Sequence, residues 1–540
     1  MRFSGFFLRL GLLVGAVAAT ACSSKDDDRP QTIDRTAGPT VPIPYERLPE
    51  PTAAFQAQKC RRSVPGYATE CGQVTVPVAP GSSETLRIDV VRVFSKAENP
   101  AADPIVYLEG GPGYPGSAAV LGSFEAFEPF VENRDLVVLD QRGTGRTGAE
   151  IACPEVDESG PDVSLVEGLA QCSARLRAQG IELSRYSSAA SAADVDAVRR
   201  AFGYPEWNLL GISYGTRLGL TVLRDFPEGV RSAVLDSVVP LQVDFIAELA
   251  PNGLGAFDAV FAACAAQQEC GERYPQSLEQ LQRAVAQLND VPIEVQGFSF
   301  TGDDFLNLLF SLLYLPEGVA LTPWLIDQVD RGETERLERL VAALYGEEGG
   351  DSGISFGMHL SLQCAEEVAF TTREVVTEAE ASVPEVLVPG LSGQYYFDYC
   401  EAWQVPPAAP KENEPVRSDV PTLLLAGGFD PITPPHYAEL VHGDLEGSLF
   451  VTLDNLSHGA SIDPCGYSLV GQFLDDPGAP LALGCVGAVP APDFESAARP
   501  RRFTAAGRPL HFTVADPSEE ELRQTAQAVS RQRALLRRKF

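Results

Sequence analysis

Trp207-Asn208-Leu209-Leu210-Gly211-Ile212-Ser213-Tyr214-Gly215-Thr216 is the stretch on which the fold turns. A short apolar run predicts a buried strand, and residues 214–225 carry the spacing of a helix. Between them stands G-x-S-x-G. Roughly 0.3 matches to that pattern are expected by chance in a chain of this composition, so its position decides its meaning. Directly between strand and helix, the glycines allow a turn too tight for side chains, and the turn lifts the Ser213 hydroxyl clear of the sheet. The competing reading, a serine that only caps the following helix, explains neither glycine.

Working outward, the same rhythm repeats. Residues 86–94 alternate with period two, while 104–108 (PIVYL) and 135–139 (DLVVL) are compact apolar strands. Residues 194–202 read as a helix and 233–236 as a strand. Strand, turn, helix, strand predicts an α/β fold with a mostly parallel sheet covered by helices on both faces. From about 240 to 415 the pattern lapses into mostly helical sequence, exemplified by 281–288, 305–315 and 336–344; it resumes at 422–426 (TLLLA) and 449–453 (LFVTL). The expected organisation is a core over 52–240, a helical lid insertion over 241–415, and the rest of the core over 416–540 with a C-terminal amphipathic helix.

A serine hydroxyl needs a base, and an imidazole needs an acid to orient it. The chain has five histidines. Asp430 follows the strand TLLLAGG and His458 follows the next strand, so both lie at strand ends on one side of the sheet, in the order nucleophile, acid, base. Asp454 and Asp444 are rivals for the acid. His436 and His442 fall on the helix after Asp430, and His359 in the insertion. Leu108-Glu109-Gly110-Gly111-Pro112-Gly113 closes the strand PIVYL; consecutive glycines let backbone approach a substrate, which nominates the Gly111 N–H, paired with that of Tyr214, as an oxyanion hole.

Composition bounds the rest. The chain has 540 residues, 44% hydrophobic, which allows a large core. With 41 Lys and Arg against 74 Asp and Glu, its formal charge of −33 makes nucleic acid a poor partner. Arg2 and Arg9 precede an apolar stretch at 10–19 and small residues up to Cys22, the pattern of an export signal over 1–21. Ala-Thr-Ala-Cys resembles the lipobox of bacterial lipoproteins, which would lipidate Cys22 and anchor the chain to a membrane; ordinary cleavage after Ala21 is the alternative. Residues 22–51 are polar and proline-rich, as a flexible tether would be. Setting Cys22 aside leaves ten cysteines in neighbouring couples, Cys60/Cys71, Cys153/Cys172, Cys264/Cys270, Cys364/Cys400 and Cys465/Cys485, which short loops favour as disulfides in an oxidising compartment. Buried free thiols are the alternative. No CxxC or His-rich cluster occurs, so neither a metal site nor any cofactor is expected.

GGPG, Asp140-Gln141-Arg142-Gly143-Thr144-Gly145, GISYGT, GGFDPITP and SHG together resemble the proline iminopeptidase and tripeptidyl aminopeptidase group of α/β-hydrolases, and SAADVDAVRRAFG and VRSAVLD resemble its secreted tripeptidyl aminopeptidase branch. The resemblance runs from about residue 67 to 485. It implies that Arg142 holds the oxyanion loop, that Glu109, where the group often has a histidine, takes part in substrate binding, and that an acid in Gln363-Cys364-Ala365-Glu366-Glu367 receives a substrate ammonium, with Glu366 the candidate. The expected protein is an exported serine exopeptidase acting on peptides with a free N-terminus. An esterase or lactonase with the same triad, or a non-catalytic surface binding protein, are the other readings.

Overall fold

In the computed structural model of the chain, residues 55–494 are described, apart from 80, 148–150, 158–163, 296 and 346–352. The export signal, the tether, Cys22 and the C-terminal helix fall outside them.

Apolar runs buried end to end build the centre of the sheet. β4 (Ile105–Leu108), β5 (Leu136–Leu139), β6 (Trp207–Ile212) and β10 (Thr422–Gly427) are buried at every position, because helices cover both faces. Around them stand β1 (Gln56–Gln58), β2 (Thr69–Pro77), β3 (Thr85–Val93), β7 (Val230–Asp236) and β11 (Leu449–Leu453), giving the order β1-β2-β3-β5-β4-β6-β7-β10-β11. The strands from β5 to β11 in that order pair in parallel; β1, β2 and β3 pair antiparallel, and β3 joins β5 antiparallel. Registers such as Leu108↔Gly211, Gly211↔Leu235 and Gly427↔Leu453 bring the carboxyl ends of β4, β6, β7, β10 and β11 to one edge, where open α/β sheets form their sites.

Between β7 and β10 the chain leaves the sheet. Its helices include Phe245–Ala265, Ser277–Asp290, Gly302–Leu312, Pro316–Asp330, Phe356–Leu362 and Tyr395–Trp403, with one small hairpin of β8 (Ile293–Val295) and β9 (Phe298–Phe300). Phe257, Leu281, Phe305, Trp324 and Leu340 give this excursion a hydrophobic core of its own. The five cysteine couples pair as their short loops favour, Cys60–Cys71, Cys153–Cys172, Cys264–Cys270, Cys364–Cys400 and Cys465–Cys485. No helix among the described residues is long and apolar enough to cross a membrane.

Candidate active site

Ser213 sits between β6 and the helix Tyr214–Asp225 with φ 59° and ψ −130°, a conformation L-residues avoid. Its neighbours explain how that is tolerated. A Cβ on Gly215 would come 2.0 Å from the Leu108 carbonyl oxygen, and one on Gly211 would come 2.5 Å from that of Gly215. The turn is pinned as well: Ser213 N–H donates to the Asp236 carbonyl at 3.0 Å, and Thr216 donates to the Ser213 carbonyl through both its amide and its hydroxyl. Ser213 is partly exposed and opens on a cleft. Gly111, Pro112, Tyr214, Arg217, Gln363, Glu366, Glu367 and Thr433 are among the other residues that line it.

Asp430 and His458 meet at the ends of β10 and β11. His458 Nδ1 donates to Asp430 Oδ2 at 2.8 Å. Asp430 also accepts from the amides of Ile432 and Thr433 and from the Thr433 hydroxyl, the last at 2.6 Å. Burial pushes its pKa up, but the His458 imidazole and the Thr433 donors outweigh that and hold it below the usual carboxylate value. The glycines of GGFDP are explained by close approach: a Cβ on Gly427 would lie 2.0 Å from the Ser457 carbonyl oxygen and one on Gly428 2.3 Å from that of Asp454.

The His458 loop is anchored by groups that sequence reading passed over. Asp236 is buried at the end of β7 and accepts from the amides of Ala460 and Ser461, while Ser237 accepts from that of Gly459 at 2.8 Å. From the excursion, Tyr314 sets its ring 4.9 Å from the imidazole, and the Ser457 hydroxyl donates to the Leu313 carbonyl. No hydrogen bond joins Ser213 Oγ to His458 in this structure; the two share the same sheet edge, with Gly459 packed toward Ile212, the residue before Ser213. The other described histidines lie elsewhere. His436 is exposed near Glu248, His442 bonds Ser448, and His359 is buried against Pro112. Asp454 is exposed, and Asp444 accepts from Gln242 beside Arg417. His511 falls outside the described residues.

Gly111 holds φ +112°, and Tyr214 is the first residue of its helix, where amides have no partner within the helix. Two expectations need correction. Arg142 does not touch the oxyanion loop: it is fully buried, clamps Asp194 through two 2.8 Å bonds and reaches the carbonyls of Val78 and Arg185, whereas Gln141 donates to the Glu109 carbonyl. Glu109 does not line the cleft, because its side chain turns back to accept from the Gly110 amide at 2.9 Å. Glu366 does line it, but its oxygens are taken by the Ser188 amide and hydroxyl at 2.7 and 2.6 Å and by Arg217 at 3.3 Å. Its neighbour Glu367, also in the cleft, pairs among the described residues only with Arg217. Burial lifts its pKa to about 7, with Arg217 pulling it down and Glu366 and Asp244 pushing it up. Gln363 adds a buried Oε1 with no partner.

Sheet, elbow and carboxylate–imidazole pair define the chain as a serine hydrolase of the α/β-hydrolase fold. Residues 103–270 match the alpha/beta hydrolase fold family, and residues 391–483 match the family described as TAP-like protein. Serine protease Hip1 of Mycobacterium tuberculosis is 27% identical over 463 residues, covering 78% of this chain and 87% of the relative. Tripeptidyl aminopeptidase of Streptomyces lividans is 32% identical over 195 residues, 32% of this chain and 35% of the relative. Proline iminopeptidase of Neisseria meningitidis is 28% identical over 145 residues, 27% of this chain and 36% of the relative. The chain has the α/β-hydrolase fold and is similar to peptidases of that fold.

Proposed function

We propose that this protein is an exported serine exopeptidase that releases short units from the free N-terminus of peptides. Ser213 attacks the scissile carbonyl after its hydroxyl rotates to His458 Nε2, which accepts the proton and later returns it to the leaving amine. Asp430 keeps the proton on Nδ1 and stabilises the imidazolium that forms. The amides of Gly111 and Tyr214 stabilise the oxyanion, and water releases the acyl-enzyme.

One observation carries the exopeptidase reading. The cleft that opens at Ser213 is lined by two buried carboxylates, Glu366 and Glu367, against a single lining cation, Arg217. Glu366 already accepts from Ser188 and Arg217, whereas Glu367 pairs among the described residues only with Arg217, so Glu367 and the Gln363 Oε1 are the acceptors most open to a substrate ammonium. A substrate that leaves its own charge there brings its first residues to Ser213. Export is supported by the five disulfides, which persist in oxidising compartments. The N-terminal signal, with Cys22 as lipid acceptor, supplies the route.

Ser213→Ala is expected to abolish fluorophosphonate labelling and the cleavage of tripeptidyl and aminoacyl anilides together. N-acetylation of the substrate is expected to remove most of the wild-type rate. Turnover surviving in Ser213→Ala overturns the nucleophile, and equal rates on acetylated and free peptides, or on simple acyl esters, turn the reading toward an esterase.

A further inference from the structure

His359 is the buried imidazole that the triad does not use, and it comes from the excursion rather than from the sheet. It lies on the helix Phe356–Leu362, whose N-cap Ser355 accepts from the Met358 amide. The start of this helix grips the loop after β4 at two successive carbonyls: Ser355 N–H donates to Gly113 at 2.8 Å, and His359 Nδ1 donates to Pro112 at 3.0 Å. The approach is close enough to require glycine. A Cβ on Gly113, at φ +113°, would stand 2.9 Å from the Ser355 carbonyl oxygen and 3.4 Å from His359 Cβ.

The tautomer follows from the partners. A carbonyl can only accept, so the proton sits on Nδ1, and the neutral ring leaves Nε2 to accept from the Tyr396 hydroxyl at 3.3 Å. The Tyr395 hydroxyl hydrogen-bonds that of Tyr396 in turn. Burial drives the His359 pKa down to about 4, which keeps the ring neutral across the working range. The relay thus ends on the residue between Gly111 and Gly113, in a loop so tight that a Cβ on Gly111 would lie 3.0 Å from Gly113 N.

We infer that His359 is a positioning residue for the oxyanion loop, holding the Gly111 amide in place from outside through the Pro112 carbonyl. The inference rests on the acyl-enzyme reading above. The same continuous segment runs on into the wide turn Gln363–Glu367, so the element that fixes the loop also carries the residues assigned to the substrate ammonium. Misplacing a catalytic donor by about 1 Å costs on the order of a hundredfold in rate.

In the full chain, His359→Ala is expected to lower kcat by about tenfold to a hundredfold, with KM changed by less than about threefold. A peptide aldehyde, which adds to the serine and generates an oxyanion, is expected to lose affinity in step with kcat/KM. The cleaved product, which makes no oxyanion, is expected to keep its affinity. The amide nitrogen of His359→Asn takes the place of Nδ1 and is expected to restore most of the rate, whereas that of His359→Gln reaches toward the Nε2 place and is not. Full kcat in a folded His359→Ala, parallel loss of aldehyde and product affinity, or equal rates for the Asn and Gln variants overturns the proposal. The Asn and Gln pair decides it even where the alanine variant does not fold. Turnover retained by Ser213→Ala instead overturns the serine reading and leaves the wild-type rate to another group, so the two failures are separable.

Discussion

Ser213 pays for its exposure with backbone strain; residues held in sparsely populated φ/ψ regions cost about 1–3 kcal/mol and persist only where the surroundings over-determine them. Here they do, through Gly211, Gly215 and the bonds from Ser213 to Asp236 and from Thr216 to Ser213. That much was legible, because glycine at both flanks has one mechanical meaning between a strand and a helix. Asp430 and His458 were legible for the same reason, each following a strand that ends at the site. Thr433 was not: a threonine three residues after an aspartate is common, and only the fold reveals its hydroxyl 2.6 Å from Asp430 Oδ2 and 3.2 Å from His458 Nδ1. A hydrogen bond to a charged group contributes about 1.5–3 kcal/mol. Thr433→Val keeps the shape and removes the donor, so kcat is expected to fall by about tenfold to a hundredfold while the protein stays folded, with Thr433→Ser recovering most of it. Steady-state kinetics on the three proteins checks this, and an unchanged kcat in the valine variant removes Thr433 from the machinery.

At the level of elements, the sheet could be read because its central strands are short, wholly apolar and separated by helical spacing. The excursion was legible as helical but not in its connections, since helix periodicity says which face is buried and nothing of what covers it. The choice between the two neighbouring acids turns on this point. Glu366 and Glu367 are adjacent in sequence, and the π-helical turn Gln363–Glu367, of a kind that recurs at functional sites, aims both at the cleft. How far each is already engaged depends on Ser188 and Arg217, from two other helices. Cys364 ties this turn to the helix Tyr395–Trp403 through Cys400, closing a separation of 36 residues. By chain entropy such a loop stabilises by about 4 kcal/mol. The double variant Cys364→Ser, Cys400→Ser is expected to lose about 2–4 kcal/mol in denaturant unfolding and to raise KM for free peptides more than it lowers kcat, because the acids move before the triad does. Unaltered KM with lowered stability means that the turn holds its geometry without the bridge.

Over the whole molecule, the pH dependence of stability and that of binding run in opposite directions. Burial lifts Glu367 to about 7 and Asp140, beneath Ser117, to about 6. Both values lie above the ordinary carboxylate range, so between about pH 4 and pH 7 the folded chain holds protons that the unfolded chain has released. Their contribution is therefore present in acid and lost as pH rises through the folded values, on the order of 3 kcal/mol for each group. The surplus of acids in a chain of formal charge −33 adds repulsion of the same sign. Asp430, held below its ordinary value, works the other way and withdraws its stabilisation only when pH falls beneath that value. Thermal stability should thus be highest near about pH 4 and decline through about pH 7. An ammonium, however, needs an ionised partner, so KM for a free N-terminus should fall as pH rises through about 7, where Glu367 loses its proton. Glu367→Gln removes its share of the titration from both curves: the melts should lose roughly half of this pH dependence, that of Asp140 remaining, and KM should become high and nearly independent of pH. A glutamine variant whose KM still falls with rising pH places the ammonium on another acid.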